Sequence, residues 1–386
     1  MRRSVRFPSA TQALKPSAKG YPQVTTTRRT VRLGGEWRQE DREGVYRKEK
    51  RLEPQEQAGA LLENAAGYIT TRTIKIGLDH GLFELIAGRA PIGADDLAEA
   101  AGIDKLYSSV WCRAAFGAGV LDGHNGNAYT LAPHIEMLLL DGSSPGYLGG
   151  LFKALTEPEV FDTFSDNLES GKRIWWDQTS PRWIAAVGET GGAFNTRFIP
   201  GGISQVPGAS ERLFAGGKVL ELACGTGVGL VRLGTEYAEL DLVGLDGDAY
   251  SLDQARSRVE DAGMSDRVQL VESGMEDLDA EDEYDVITIN VSMHECRDID
   301  KVTAAVYRAL KPGGYFLNSD FPFPDSAEGI RSIPGRIMSG IQFFEALIDD
   351  QLLSVDYYLD LFDRHGFDET GVVEVTPVHA ITWAKK

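Results

Sequence analysis

Two short stretches carry residue types that do chemistry. "TINVSMHECRD" (288–298) closes an apolar run with a His–Glu pair, His294 and Glu295. "ELACGTGVG" (221–229) sets an acid, Glu221, ahead of Gly225, Gly227 and Gly229. An imidazole titrates near pH ~6.5, so a histidine at a strand end can take a proton from a bound hydroxyl. It can equally cap the strand by bonding a backbone group, and from its immediate neighbours both readings of His294 stand. Glycines after a strand let the backbone come close to a ligand. A dinucleotide fingerprint would put its third glycine at 230, which is Leu230, and Glu221 would repel a pyrophosphate. The same acid would attract a ligand carrying an amine and a sulfonium cation. The next strand ends in Asp246, 17 residues after Gly229, where a carboxylate can accept both hydroxyls of a ribose.

The elements that must position these residues begin at Lys218. "KVLELAC", "LDLVGLD", "RVQLVE", "YDVITINV" and "GGYFLNSD" read as strands separated by helical patterns, and the C-terminal segment adds a helix and two strands. Asp248 is placed to cap the helix after the second strand. Repeated βα units predict a parallel sheet covered on both faces, with ligands beyond the carboxyl ends of its strands. Both chemical stretches then share one edge.

Upstream, residues 61–87 have helix-period apolar positions punctuated by Gly77 and Gly81. Two short helices around Gly102 follow, and "VLDGHNGNAYTLAP" reads as a hairpin about Asn125–Gly126. Together they make a winged-helix pattern over about 61–141. Its second paired helix, 105–118, offers only Lys105 and Arg113 as cations, too few to follow a phosphate backbone. Residues 142–215 read as helical and rich in aromatics, of which a minority could wall a pocket for a flat ligand.

The net charge of −19 conceals a split. Up to Glu53 the chain has 14 basic and 6 acidic residues, leaving 25 basic and 52 acidic residues beyond it. A body that acidic repels nucleic acid, whose binding needs phosphate neutralisation, and points to a small-molecule partner. No run approaches the ~18 apolar residues of a membrane span. The three cysteines, Cys112, Cys224 and Cys296, have no CxxC spacing and no His partners, which argues against disulfides and zinc and for a reducing, cytoplasmic setting. The Arg/Ser/Thr-rich start also fits an organelle transit peptide, but Pro8, Pro16, Gly20 and Pro22 interrupt any amphipathic helix. A disordered basic tail over 1–53 is the expectation.

"VLELACGTG", "VGLD" and "LKPGG" together resemble the class I S-adenosylmethionine-dependent methyltransferases. The winged-helix segment, "GAFNTRF" and "MHEC" extend the likeness to small-molecule O-methyltransferases of the caffeate and hydroxyindole type, over about 55–386. The resemblance implies an α/β fold: a Rossmann-like seven-stranded sheet whose last strand is antiparallel, behind an N-terminal, mostly helical winged-helix domain that makes a homodimer. The domains would run 54–150 for dimerisation, 151–215 as a helical linker to the substrate pocket, and 216–386 for cofactor binding and catalysis.

Carried over by position, Glu221, Gly225 and Gly227 would hold the methionine end of S-adenosylmethionine, Asp246 its ribose and Met275 its adenine. Asn290, at the end of the fourth strand, joins this set. Gly274 stands where the family has an acid, so Glu276, Asp277 or backbone must supply that adenine contact. His294 takes the position of the catalytic base. Glu295 replaces the following Asp, and Asp320 falls at the first of two acidic positions behind the histidine. The second falls at Leu352, beside Asp349, Asp350 and Gln351. Trp175, Trp183, Phe194, Asn195, Met293, Met338 and Phe343 are the acceptor-pocket candidates. The expected reaction is direct methyl displacement onto a phenolic or hydroxylated small molecule, without metal or membrane. N- or C-methylation, a non-methylating use of the cofactor, and a cofactor-sensing regulator are the alternatives.

Overall fold

The structure is a computed structural model that describes residues 53–124 and 128–386. The expected basic tail, but for Glu53, and the Asn125–Gly126 turn lie outside the described residues. The chain divides into two units, Met1–Ala58 and Gly59–Lys386. Of the first, only the opening turn of a helix is described, and the elements beyond that turn belong to the second.

Four helices lead: α1 (Pro54–Asp79), α2 (Leu82–Arg89), α3 (Ala94–Ala101) and α4 (Lys105–Gly117). With them goes a small antiparallel sheet, ordered β1-β3-β2, of β1 (Ile92–Gly93), β2 (Leu121–His124) and β3 (Ala128–Leu131). The helical stretch 61–87 breaks at Gly81, whose φ of 64° is easy only for glycine. Gly77 lies inside α1 because a Cβ there would sit 2.4 Å from Phe83 and 2.7 Å from Trp111. Ile74, Phe83, Ile86, Leu97 and Trp111 form this region's core. Asp104 caps α4 by accepting from the N–H groups of Leu106 and Tyr107. β1 was not expected: two residues are too short to show a strand period.

The aromatic-rich segment carries α5 (Pro158–Asn167) and α6 (Pro181–Arg197). Beyond it stands a seven-stranded sheet ordered β6-β5-β4-β7-β8-β10-β9. Its strands are β4 (Gly217–Leu222), β5 (Leu240–Asp246), β6 (Val268–Glu272), β7 (Tyr284–Asn290), β8 (Leu310–Asp320), β9 (Glu369–Thr376) and β10 (His379–Lys385). All neighbours are parallel except that β10 runs antiparallel to both β8 and β9. The covering helices are α7 (Val228–Glu236), α8 (Ala249–Asp261), α9 (Ile299–Ala309), α10 (Ile333–Leu347) and α11 (Val355–Arg364).

Side chains alternate across a sheet, and both faces here are apolar. Leu220, Leu222, Ile287 and Ile289 enter one core, while Val219 and Val286 enter the other. That explains why β4 and β7 read as continuous apolar runs. Asp248 caps α8 through the Ser251 N–H at 2.9 Å, as its position predicts. The strand order reverses between β4 and β7, and open α/β sheets bind ligands outside such a switch point. The three cysteines are buried free thiols. Among the described residues no helix is long and apolar enough to cross a membrane.

Candidate active site

At the switch point the backbone is strained on both sides. Ala223, just after β4, has φ 48°, and Val291, just after β7, has φ 57°. For a β-branched residue this is a genuine outlier, and such strain collects at functional sites. Gly225 (φ 51°) and Gly227 (φ 77°) turn the chain into α7 in the same region at no such cost. Gly229 has a different reason to be glycine: a Cβ there would lie 1.8 Å from Glu221 Oε1.

Glu221 is buried, and its Oε2 has no hydrogen-bond partner. Burial drives its pKa up to about 8, against the Leu230 N–H that favours the carboxylate, and Asp246 adds to the rise. An orphaned, buried carboxylate oxygen is costly unless a cation or donor completes it. The α-ammonium of S-adenosylmethionine is such a group, so these residues fit that cofactor. Asp246 Oδ2 accepts from the Gly225 N–H at 2.8 Å and Oδ1 from the Asp248 N–H at 2.9 Å. The loop thus fixes the carboxylate, and each oxygen keeps a lone pair for a ribose hydroxyl.

Gly274 is exposed and Met275 half-buried, opening a short 3₁₀ turn after β6. Glu276, one of the residues expected to replace the missing acid, is engaged elsewhere. Its Oε1 accepts from the N–H groups of Arg297 and Asp298, just before α9. Asn290 ends β7 beside the glycine loop, since Leu222 pairs with Ile289.

The second cluster lies where β7, β8 and α10 meet. His294 is buried in a 3₁₀ turn after β7. Its Nδ1 lies 2.9 Å from Asp320 Oδ2 and 3.0 Å from Oδ1. Asp320, the last residue of β8, also accepts from its neighbour's N–H, that of Phe321, at 2.8 Å and from the Tyr358 hydroxyl at 2.6 Å. Tyr358 is fully buried on α11, and the sequence reading missed it. Nothing local in "VDYYLDLF" points at a strand end 38 residues away.

The second carboxylate behind the histidine is Glu345, on α10, and not a residue at or beside Leu352. Leu352 packs with Phe194, Phe321 and Met338, Asp350 pairs with Arg297, and Asp349 pairs with Arg173. The Leu352 N–H itself donates to Gln342 Oε1 at 2.7 Å. Glu345 Oε2 stands 3.7 Å from His294 Nε2 and has no hydrogen bond of its own. An ungapped count overshoots it by seven residues, reaching Leu352 instead. Met338, seven residues before Glu345, shares its helix face.

The electrostatics of this cluster are unusual. Burial pulls the His294 pKa down, but Asp320, Glu345 and Glu295 together outweigh it and hold it up at about 10. Burial raises both Glu295 and Glu345, with the His294 charge opposing. In the free chain His294 is therefore an imidazolium among acids.

The acceptor-pocket candidates scatter. Phe194 packs edge-on against Phe321 at 4.7 Å and stands 4.3 Å from the His379 ring, so it belongs to the wall behind the cluster. Asn195 is buried with an unpartnered Oδ1. Trp183 packs on Phe344 in a separate aromatic core. Met293 lies in the sheet core with Leu222 and Val302. Phe343 turns toward Phe161 and Phe164 of α5, about 200° around α10 from Glu345. Trp175 is half-exposed beneath the Arg297 guanidinium.

Comparison with known proteins agrees with this geometry. Residues 219–314 match the family model described as a methyltransferase domain. A methyltransferase of Synechocystis, itself uncharacterised, is 32% identical over 166 residues, 42% of this chain and 72% of that protein. The ubiquinone/menaquinone biosynthesis C-methyltransferase UbiE of Psychromonas ingrahamii is 36% identical over 111 residues. That match takes in 28% of this chain and spans under half, 44%, of the Psychromonas protein. In fold, human N-acetylserotonin methyltransferase in complex with S-adenosylmethionine aligns with a TM-score of 0.62 at 15% identity, covering 87% of this chain and 99% of that one. With a seven-stranded sheet carrying one antiparallel strand and an acid-bearing glycine loop at its switch point, this chain belongs to the methyltransferases.

Proposed function

We propose that the chain is an O-methyltransferase acting on a phenolic or otherwise hydroxylated small molecule, with His294 as the general base. The observation that carries this reading is the His294–Asp320 bond at 2.9 Å, with Glu345 facing the other ring nitrogen. When bound, S-adenosylmethionine supplies an electrophilic methyl group and a sulfonium charge. Transfer to oxygen is then a displacement that needs alignment and a deprotonated nucleophile. Glu221 would hold the ammonium and Asp246 the ribose, and the Asn290 and Met275 positions would complete the cofactor seat.

Asp320 holds Nδ1 and so aims Nε2. The imidazolium of the free chain must first lose its proton. Glu345 Oε2, 3.7 Å from Nε2 and without a hydrogen bond, is the carboxylate that faces the ring nitrogen carrying that proton. His294 Nε2 is then free to accept the hydroxyl proton. Glu295 adds negative charge that steadies the imidazolium formed in that step.

The regions expected as dimerisation domain (54–150), linker (151–215) and catalytic domain (216–386) keep those roles in this proposal. The winged-helix region would pair with a second copy. Leu61, Leu62, Tyr68 and Ile69 on α1, with Leu106 and Tyr107 on α4, expose large apolar side chains that a partner copy would cover. Sedimentation should give a dimer, and a monomer at micromolar concentration would refute this part.

The function itself is tested by incubating the full chain with S-adenosylmethionine and a panel of phenols, alcohols, amines and carbon acids. Mass spectrometry of the products should locate the new methyl on oxygen. Methylation confined to nitrogen or carbon acceptors would overturn the reading.

A further inference from the structure

A line of buried polar side chains crosses the active-site edge of the sheet without touching His294. It starts at Arg197, in the last turn of α6, whose Nε donates to His379 Nδ1 at 3.2 Å. His379, fully buried at the start of β10, meets Ser319 Oγ through Nε2 at 2.8 Å. Ser319, on β8, donates to Asn290 Oδ1 at 2.7 Å. Ser319 and Asn290 are register partners on β8 and β7, so the line ends next to the glycine loop.

The direction of every bond in this line follows from its first member. A guanidinium has donors and no acceptor, so His379 Nδ1 must be bare. The His379 proton then sits on Nε2 and is donated to Ser319 Oγ. Ser319 must therefore give its own proton to Asn290, which makes the atom it meets the amide oxygen and not the amide nitrogen. Asn290 is left with its NH₂ group uncommitted, and no described residue accepts from it. His379 stays neutral at ordinary pH, because burial and the Arg197 charge push its pKa down to about 3. Among the described residues no carboxylate lies within ion-pair distance of Arg197. Its charge polarises the line toward Asn290, and linked hydrogen bonds strengthen one another in a low dielectric.

We propose that Arg197, His379 and Ser319 are positioning residues that lock the Asn290 amide with its NH₂ group turned outward, as a donor to an oxygen of the bound adenosylmethionine. The inference rests on the methyltransferase reading, in which the cofactor lies along β4 and β7. It gives the otherwise unexplained burial of Arg197 and His379 a purpose at the cofactor edge.

The test is a double-mutant cycle read by calorimetry with S-adenosylhomocysteine on the full chain. Asn290→Ala should weaken binding about fivefold and Ser319→Ala about threefold. The double variant should lose no more than Asn290→Ala alone, because Ser319 acts only through Asn290. Ser319→Thr, which keeps the hydroxyl, should restore affinity. A merely structural serine would give additive losses and no coupling, and that result overturns the proposal. So does unchanged affinity in Ser319→Ala. If Ser319→Ala does not fold by circular dichroism, His379→Leu breaks the same line one bond further back and carries the cycle with Asn290→Ala. Absence of any binding by the unmutated chain would instead refute the cofactor reading beneath it.

Discussion

The two halves of the active-site edge are built on different principles. The half proposed to seat the cofactor, around Glu221 and Asp246, is a local construction. One loop of nine residues sets the acid, turns the chain and donates the N–H group that fixes the neighbouring carboxylate. The half proposed to meet the acceptor draws His294, Asp320, Glu345 and Tyr358 from four separate elements. The first is a seat with one oxygen left open for a cation. The second is a buried cluster bonded through Asp320, with Glu345 facing the ring unbonded, and it carries more acid than base. The contrast teaches that affinity and chemistry can be perturbed separately, each through its own residues.

The sharpest way to break that separation is His294→Ala. Turnover should fall at least ~100-fold, with S-adenosylhomocysteine affinity unchanged by calorimetry. A matching loss of affinity would mean the two halves are one unit. Next comes Asp246→Ala, which should weaken S-adenosylhomocysteine binding by about tenfold or more, as loss of charged hydrogen bonds does. Turnover at saturating cofactor should survive.

The third prediction concerns pH. Glu221 is protonated in the free chain below about 8, and a bound ammonium requires its carboxylate. Binding must then expel a proton below that pH, so affinity should rise with pH by up to about tenfold per unit between ~5 and 8 and then level off. Glu221→Gln should flatten the profile, and a flat profile in the unmutated chain would contradict the seat described. The smallest effect is expected for Tyr358→Phe. Removing one donor from Asp320 should alter turnover by about threefold and leave affinity alone.

Legibility followed the same division. The strand, glycine loop and strand-end acid near Asp246 were readable because their spacing is fixed by one βα unit. Asp248 as a cap was readable for the same reason. Asp320 was found because β8 directly follows a helix of ordinary length. Glu345 was missed, and Leu352 wrongly reached, because the connection between β8 and α10 can vary in length without changing which helix face meets His294. Trp183, Met293 and Phe343 were offered as pocket residues from where the resemblance places the pocket and from their aromatic or apolar character. That character describes a core equally well, and the structure packs Trp183 and Met293 into cores and turns Phe343 toward α5. The break at Gly81 was marked by its glycine, whereas the two-residue β1 was beyond any periodicity argument.

The contact between Gly229 and Glu221 has a further consequence, for how this chain could change. A side chain at 229 and a carboxylate at 221 compete for one volume, so position 229 cannot gain a side chain while the acid stays. Replacing Glu221 would leave a void beneath the loop, and replacing Gly229 would evict the acid. A chain that gains a side chain at 229 would first have to shorten residue 221. The glycine is thus a record of the charge it makes room for.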